Sequence, residues 1–159
     1  YTQVWWSIRP HFAFGTVEFR ICDAQSTAAE SEALASLIVA CVAQAARDID
    51  EGAPMRPLLR REIEENFWRA IRHGMDGQLI DFEQRREYPA TEGLERLLAW
   101  SEPARTDLGI EIALPERNGA QRQQRALQTG ASLVEAYAAS VEETRESYAA
   151  LQTPAEVRR

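Results

Sequence analysis

QVWWSIRPHFAFGTVEFRIC, residues 3–22, carries a two-residue alternation twice over. Val4, Trp6 and Ile8 point one way; Gln3, Trp5, Ser7 and Arg9 point the other. A half-buried strand has this period. Pro10 removes a backbone donor and suits a strand end. Gly15 closes a short connection, and residues 16–22 alternate again, with Val17, Phe19 and Ile21 set against Thr16, Glu18, Arg20 and Cys22. Two such runs joined by a few residues predict an antiparallel hairpin. Its Val17, Phe19 and Ile21 face is expected to pack under helices, while Arg9, Glu18 and Arg20 project from the other.

Beyond Asp23 the period changes to that of a helix. Thr27 followed by Glu30 fits a capping box. Leu34, Leu37, Ile38, Cys41, Val42 and Ala45 then recur at three- and four-residue steps, the stripe of an amphipathic helix that ends at Gly52. Pro54 and Pro57 punctuate the loop. A second helix is predicted over about 58–73, carrying Leu59, Ile63, Phe67, Ala70 and Ile71, with Gly74 as its stop. Residues 78–88 read as a small hairpin and 91–100 as a helix. Turn signals fill 109–119, helices follow over about 120–128 and 132–151, and the residues after Thr153 read as a frayed tail. No internal repeat is visible. A hairpin comes first and mostly helix follows, a segregation that predicts an α+β fold rather than alternating α/β. The chain is read as one unit: hairpin over 1–23, mainly helices over 24–152, tail over 153–159.

Composition narrows the function classes. The 159 residues are 45% hydrophobic and 27% charged, which is ordinary for a globular domain. The net charge of −7 disfavours nonspecific nucleic-acid binding, which needs a cationic face. No apolar run approaches the roughly 20 residues of a membrane span, and no signal peptide is visible. All 18 basic residues are arginine, so no Schiff-base lysine or Walker-type loop is available. Cys22 and Cys41 form neither a metal-ligand spacing nor a disulfide framework, and a reducing cytoplasm is the default setting. Tyr1 leads straight into a strand, so the chain is expected to be a fragment, a processed chain or one partner of a split protein.

The polar hairpin face is the sharpest chemical signal. Glu18 and Arg20 are two residues apart on one strand and project from the same side. A carboxylate offers oxygen to a hard cation such as Mg²⁺. Guanidinium groups grip phosphate oxygens with paired donors. Together they suit stabilisation of a transferring phosphoryl group. The plainer alternative is a cross-strand ion pair on a solvated sheet face.

Three stretches resemble a known family. WWSIRPHFAFGTVEFRICD (residues 5–23) resembles the tryptophan-rich strand, Ile-Arg-Pro step and Phe-Gly-Thr-Val-Glu-x-Arg strand of the carboxylate–amine ligases related to glutamate–cysteine ligase. ENFWRAIRHGMDG (65–77) is similar to that family's Glu-Asn-x-Trp-Arg-Ala-x-Arg-x-Gly helix, and NGAQRQQRAL (118–127) to its Gly-Asn-Gly-Ala-x-Arg-Gln stretch. The resemblance implies a glutamine-synthetase-like catalytic fold, an antiparallel sheet forming a funnel with helices on its outer face. It implies ATP and Mg²⁺ as cofactors. A carboxylate, typically the γ-carboxylate of glutamate, becomes an acyl phosphate that an amine displaces to form an amide. On this resemblance Glu18 is a Mg²⁺ ligand, Arg20 contacts the ATP phosphates or the acyl phosphate, and Arg9 is a second phosphate or carboxylate clamp. Asn66 and Arg72 line the site beside the sheet. Ser7 stands where the family often has Asp. The family's N-terminal half, with its further Glu ligands, has no counterpart here, so an N-terminal segment or partner chain is expected to complete an otherwise inactive site. The alternative is a non-catalytic binding or structural subunit that keeps the fold.

Other residues carry weaker signals. His11 reads as a turn residue, His73 as part of a basic helix end, Trp5 as packing, and Cys22 has no adjacent base. Arg122 and Arg125 read as surface charges or substrate contacts. Leu133, Tyr137, Val141 and Tyr148 suit either the core or a homo-oligomer contact.

Overall fold

A computed structural model of the chain describes residues 7–54 and 57–152. The expected strand positions of Gln3, Val4, Trp5 and Trp6, and the tail, lie outside the described residues. The order is β1 (Ile8–His11), β2 (Thr16–Phe19), α1 (Ala28–Asp50), α2 (Arg60–His73), a short 3-10 turn (Gly74–Asp76), β3 (Gln78–Asp81), β4 (Arg86–Pro89), α3 (Ala90–Trp100), α4 (Glu102–Leu108), α5 (Gly119–Gln128) and α6 (Leu133–Gln152). Both strand pairs are antiparallel hairpins. The fold is α+β, as the segregation of the two periods predicts.

The first hairpin pairs Ile8 with Phe19, Arg9 with Glu18, Pro10 with Val17 and His11 with Thr16. It differs from the expectation in length. The strands are four residues each, and Pro10 lies inside β1 rather than at its end. In a two-stranded ribbon every strand is an edge, so proline's missing donor leaves no gap in the pairing. The turn closes with the Phe14 N–H donating to the His11 carbonyl at 3.1 Å, and Gly15 takes φ 61°, a left-handed value that favours glycine. The apolar side is not covered by helices: Ile8, Val17 and Ile21 remain about half exposed.

The helix α1 starts at its capping box: the Glu30 N–H donates to Thr27 Oγ1 at 3.1 Å and the Thr27 N–H donates to Glu30 Oε2 at 3.0 Å. Its buried side is Glu30, Ala33, Leu37, Ala40 and Gln44, a strict three-four repeat in which all but Leu37 are small or polar. This corrects the stripe read from the sequence. Of that stripe only Leu37 is buried, and Val42 is exposed. Small side chains let neighbouring helices approach, and the polar ones bind across the gaps. The Ala104 N–H at the start of α4 donates to Gln44 Oε1 at 3.2 Å, and the Trp100 indole N–H at the end of α3 donates to Asp48 at 2.8 Å. Glu30 holds Arg122 of α5. By length and composition α1 is apolar enough to cross a membrane, but its buried side is bonded to three other helices, as in the core helix of a folded domain.

The α6 helix repeats the pattern. Ala136 is buried and Ser140, Thr144 and Ser147 are partly so, while Leu133, Val134 and Tyr137 are at least 70% exposed. The large apolar side chains thus face away from the small core. The chain exposes 12486 Å², where a compact monomer of this mass exposes roughly 8000 Å².

The helix α4 has no counterpart in the sequence reading. Ser101 ends α3 and precedes the short helix, Pro103 sits in its first turn where a missing N–H is tolerated, and Gly109 closes it at φ 64°. Pro103 and Gly109, six residues apart, mask so short a helix. The other boundaries fall within two residues of expectation, including the second hairpin, whose Leu79 pairs with Tyr88 and Ile80 with Glu87.

Candidate active site

The alternation of β1 and β2 places Arg9, Glu18 and Arg20 on one face of the first hairpin. Arg9 and Glu18 are cross-strand partners, and a guanidinium nitrogen of Arg9 lies 2.5 Å from Glu18 Oε2. On the other side Arg20 Nε lies 3.6 Å from Glu18 Oε1. One carboxylate therefore sits between two guanidinium groups. The Arg20 N–H donates to the Ser7 carbonyl at 2.8 Å, extending the ribbon by one step. His11 also belongs to this face, two residues beyond Arg9 and opposite Thr16. Ending the strand at Pro10 hides His11 as a face residue; its i, i+2 spacing from Arg9 is the signal the sequence offers.

Electrostatically the face holds two cations against one anion. That balance fits a phosphate or carboxylate oxyanion. It does not by itself fit a bare Mg²⁺, which takes about six oxygen ligands. Among the described residues no three His, Cys, Asp or Glu side chains converge as a metal site. The Glu18 carboxylate is the one acidic side chain of this face, and both of its oxygens face guanidinium groups.

Asn66 and Arg72 lie on a different part of the fold. Asn66 Nδ2 donates to the Ile80 carbonyl at 2.9 Å, and the Ile80 N–H donates to Asn66 Oδ1 at 2.8 Å. The side chain thus behaves as one residue of a strand and joins α2 to β3. Nearby, Arg69 bonds Glu65 and Glu87, both at 2.8 Å. Gly77 leaves no room for a side chain, since a Cβ there would meet His73 Cβ at 2.6 Å. Arg72 is exposed and has no hydrogen-bond or ion-pair partner among the described residues. Among the described residues no hydrogen bond or ion pair links either residue to the first hairpin. Substituting Asn66 with alanine should lower stability by about 2 kcal/mol in urea denaturation, because it strands the Ile80 amide and carbonyl together. Nucleotide affinity lost with stability unchanged would instead assign Asn66 to a ligand.

The 118–127 stretch is also structural in its contacts. Asn118 caps α5, accepting from the Gln121 N–H at 2.9 Å. Arg122 donates to both oxygens of Glu30, at 2.7 and 3.1 Å, and lies 3.1 Å from Glu143 of α6. The Arg122 bonds hold the Glu30 carboxyl below the usual carboxylate range, against the opposing effect of burial.

The sequence profile of the glutamate–cysteine ligase family 2 matches residues 1–151. The chain belongs to this family. It is 38% identical over 149 residues to a protein of Solibacter usitatus provisionally named glutamate–cysteine ligase 2, with 89% of this chain aligned. A Gloeobacter violaceus protein with the same provisional name is 37% identical over 139 residues, 83% of this chain. A Rubrobacter xylanophilus protein provisionally named glutamate–cysteine ligase 2-2 is 42% identical over 125 residues, 76% of this chain. The aligned region spans 39%, 37% and 32% of these relatives respectively, so the chain corresponds to well under half of each. Within the family region the three resembling stretches divide by role. The first carries the open polar face; the second ties α2 to the β3–β4 hairpin and the third ties α5 to α1 and α6.

Proposed function

We propose that this chain supplies part of the catalytic domain of an ATP- and Mg²⁺-dependent carboxylate–amine ligase of the glutamate–cysteine ligase kind. The observation that carries the reading is the Arg9–Glu18–Arg20 cluster on one hairpin face in a chain of that family. ATP supplies the phosphoryl group that activates a carboxylate, typically the γ-carboxylate of glutamate, for attack by an amine. Arg9 and Arg20 hold the anionic oxygens with paired donors and offset the charge that develops on them. Glu18 keeps the two guanidinium groups aligned and offers an oxygen to Mg²⁺.

A further segment, on the same polypeptide or a partner chain, completes the site. Three observations support this. The face offers one carboxylate where a hard cation needs several oxygens. The apolar side of the hairpin and the Ile63, Phe67 and Ile71 side of α2 are open. The relatives are more than twice as long as the aligned region. Both cysteines are free, which agrees with a reducing cytoplasm.

The test is ADP release by the full-length protein with glutamate, a panel of amines that includes cysteine, and Mg²⁺. The expected result is ADP formed in step with one amide product and dependent on both substrates. Absence of ADP with every amine, or ADP release indifferent to glutamate, would overturn the reading.

A further inference from the structure

The polar face of the first hairpin holds a group that the Arg9–Glu18–Arg20 cluster leaves unexplained. His11 lies two residues beyond Arg9 in β1, and therefore on the same side of the ribbon. Its ring is stacked on Phe14, with centroids 4.5 Å apart and planes inclined by 29°. Phe14 itself is 76% exposed, so it contributes little to any core; what it does is fix the imidazole. His11 Nδ1 is shielded from solvent and has no hydrogen-bond partner among the described residues, and the same holds for Arg9 Nε. Shielded polar atoms nearly always have partners. Glu18 Oε2, 2.5 Å from the Arg9 guanidinium, is the one acceptor of this face in the same state; the two nitrogens, at alternate positions of one strand, leave donors open to an anionic acceptor from outside the described residues.

We propose that His11 is a third ligand-contacting residue of this face, its imidazole N–H donating to an anionic oxygen of the group that Arg9 and Arg20 hold. The ligand chemistry is an oxyanion: a nucleotide phosphate or the substrate carboxylate. This inference rests on the ligase reading and adds to it a residue that the ribbon geometry supplies. Phe14 positions the ring but does not touch the ligand.

The experiment uses the full-length protein labelled with ¹⁵N-histidine, with the His11 signals assigned by their loss in His11→Gln. One arm adds a non-hydrolysable ATP analogue with Mg²⁺; the other adds glutamate. Calorimetry in parallel shows whether each ligand binds. The expected result is that one ligand moves the His11 nitrogen shifts and leaves those of His73 in place, since His73 packs edge-on to Trp68 on α2. His11→Ala should weaken that same ligand by about tenfold, as for loss of one hydrogen bond to a charged group, and His11→Gln, which keeps an N–H donor, should recover part of the loss. The arm that responds identifies the oxyanion. Binding of both ligands with the His11 shifts and the His11→Ala affinity unchanged would overturn the proposal and leave the ligase reading standing. Binding of neither ligand would overturn both.

Discussion

Glu18→Gln should lower ATP-dependent amide formation by the full-length protein at least a hundredfold, roughly the effect of removing one preorganised charge-stabilising group from an active site. On the proposed role the substitution takes away the oxygen offered to Mg²⁺, and it releases Arg9 and Arg20 from the carboxylate between them. It also leaves the face with two cations and no anion. A second effect of opposite sign follows: inorganic phosphate without Mg²⁺ should bind the variant more tightly than the parent. Stability should change by less than about 1 kcal/mol, because exposed ion pairs contribute little and the Glu18 side chain is 41% exposed. Activity assays, phosphate titration and urea denaturation read the three effects separately. Full activity would eliminate the metal role, and lost activity with lost folding would reduce Glu18 to a strand residue.

The other large effect is on stability. Arg122→Ala should destabilise the protein by about 3 kcal/mol, since removing one partner of a buried pair leaves an uncompensated charge. Glu30 is 7% exposed and belongs to α1, Arg122 to α5 and Glu143 to α6, so one guanidinium group ties three helices together. Glu30→Gln combined with Arg122→Ala should recover part of the loss, because the stranded charge is gone. The same pair sets a pH dependence. The folded-state pKa of Glu30 is lowered from its ordinary 4.5, chiefly by the bonds from Arg122. Its contribution is therefore fully present above about pH 4.5 and is lost as pH falls through the lowered folded value, as the carboxylate protonates. Urea midpoints measured from pH 7 down to pH 3 should fall more steeply for the parent than for the double variant. Equal slopes would show that the Arg122–Glu30 pair carries no linked stability.

Much of the fold was legible from local pattern. Alternation marked the first hairpin, an apolar run followed by charge marked the second, the Thr27–Glu30 spacing marked the start of α1, and glycine stops marked the ends of α1 and α2. The short α4 was hidden because its starting bend and closing glycine fall within one turn of either end. The inward side of α1 was misread for a different reason. Hydrophobic periodicity assumes that the largest apolar side chains face the core, whereas here Ala33, Ala40 and Gln44 do. Close helix approach and polar bridging, rather than apolar volume, select that side.

The candidate site divides along the same line. That Arg9, Glu18 and Arg20 share a face follows from a two-residue period within twelve positions, since in a strand every second side chain points the same way. No local pattern could show that Asn66 serves as a strand residue for Ile80 or that Arg122 closes on a carboxylate 92 positions away. Those assignments depend on which backbone groups and charges meet after the helices pack. Side-chain direction is set within a few residues of chain, but hydrogen-bond partners are set by where distant elements come to rest.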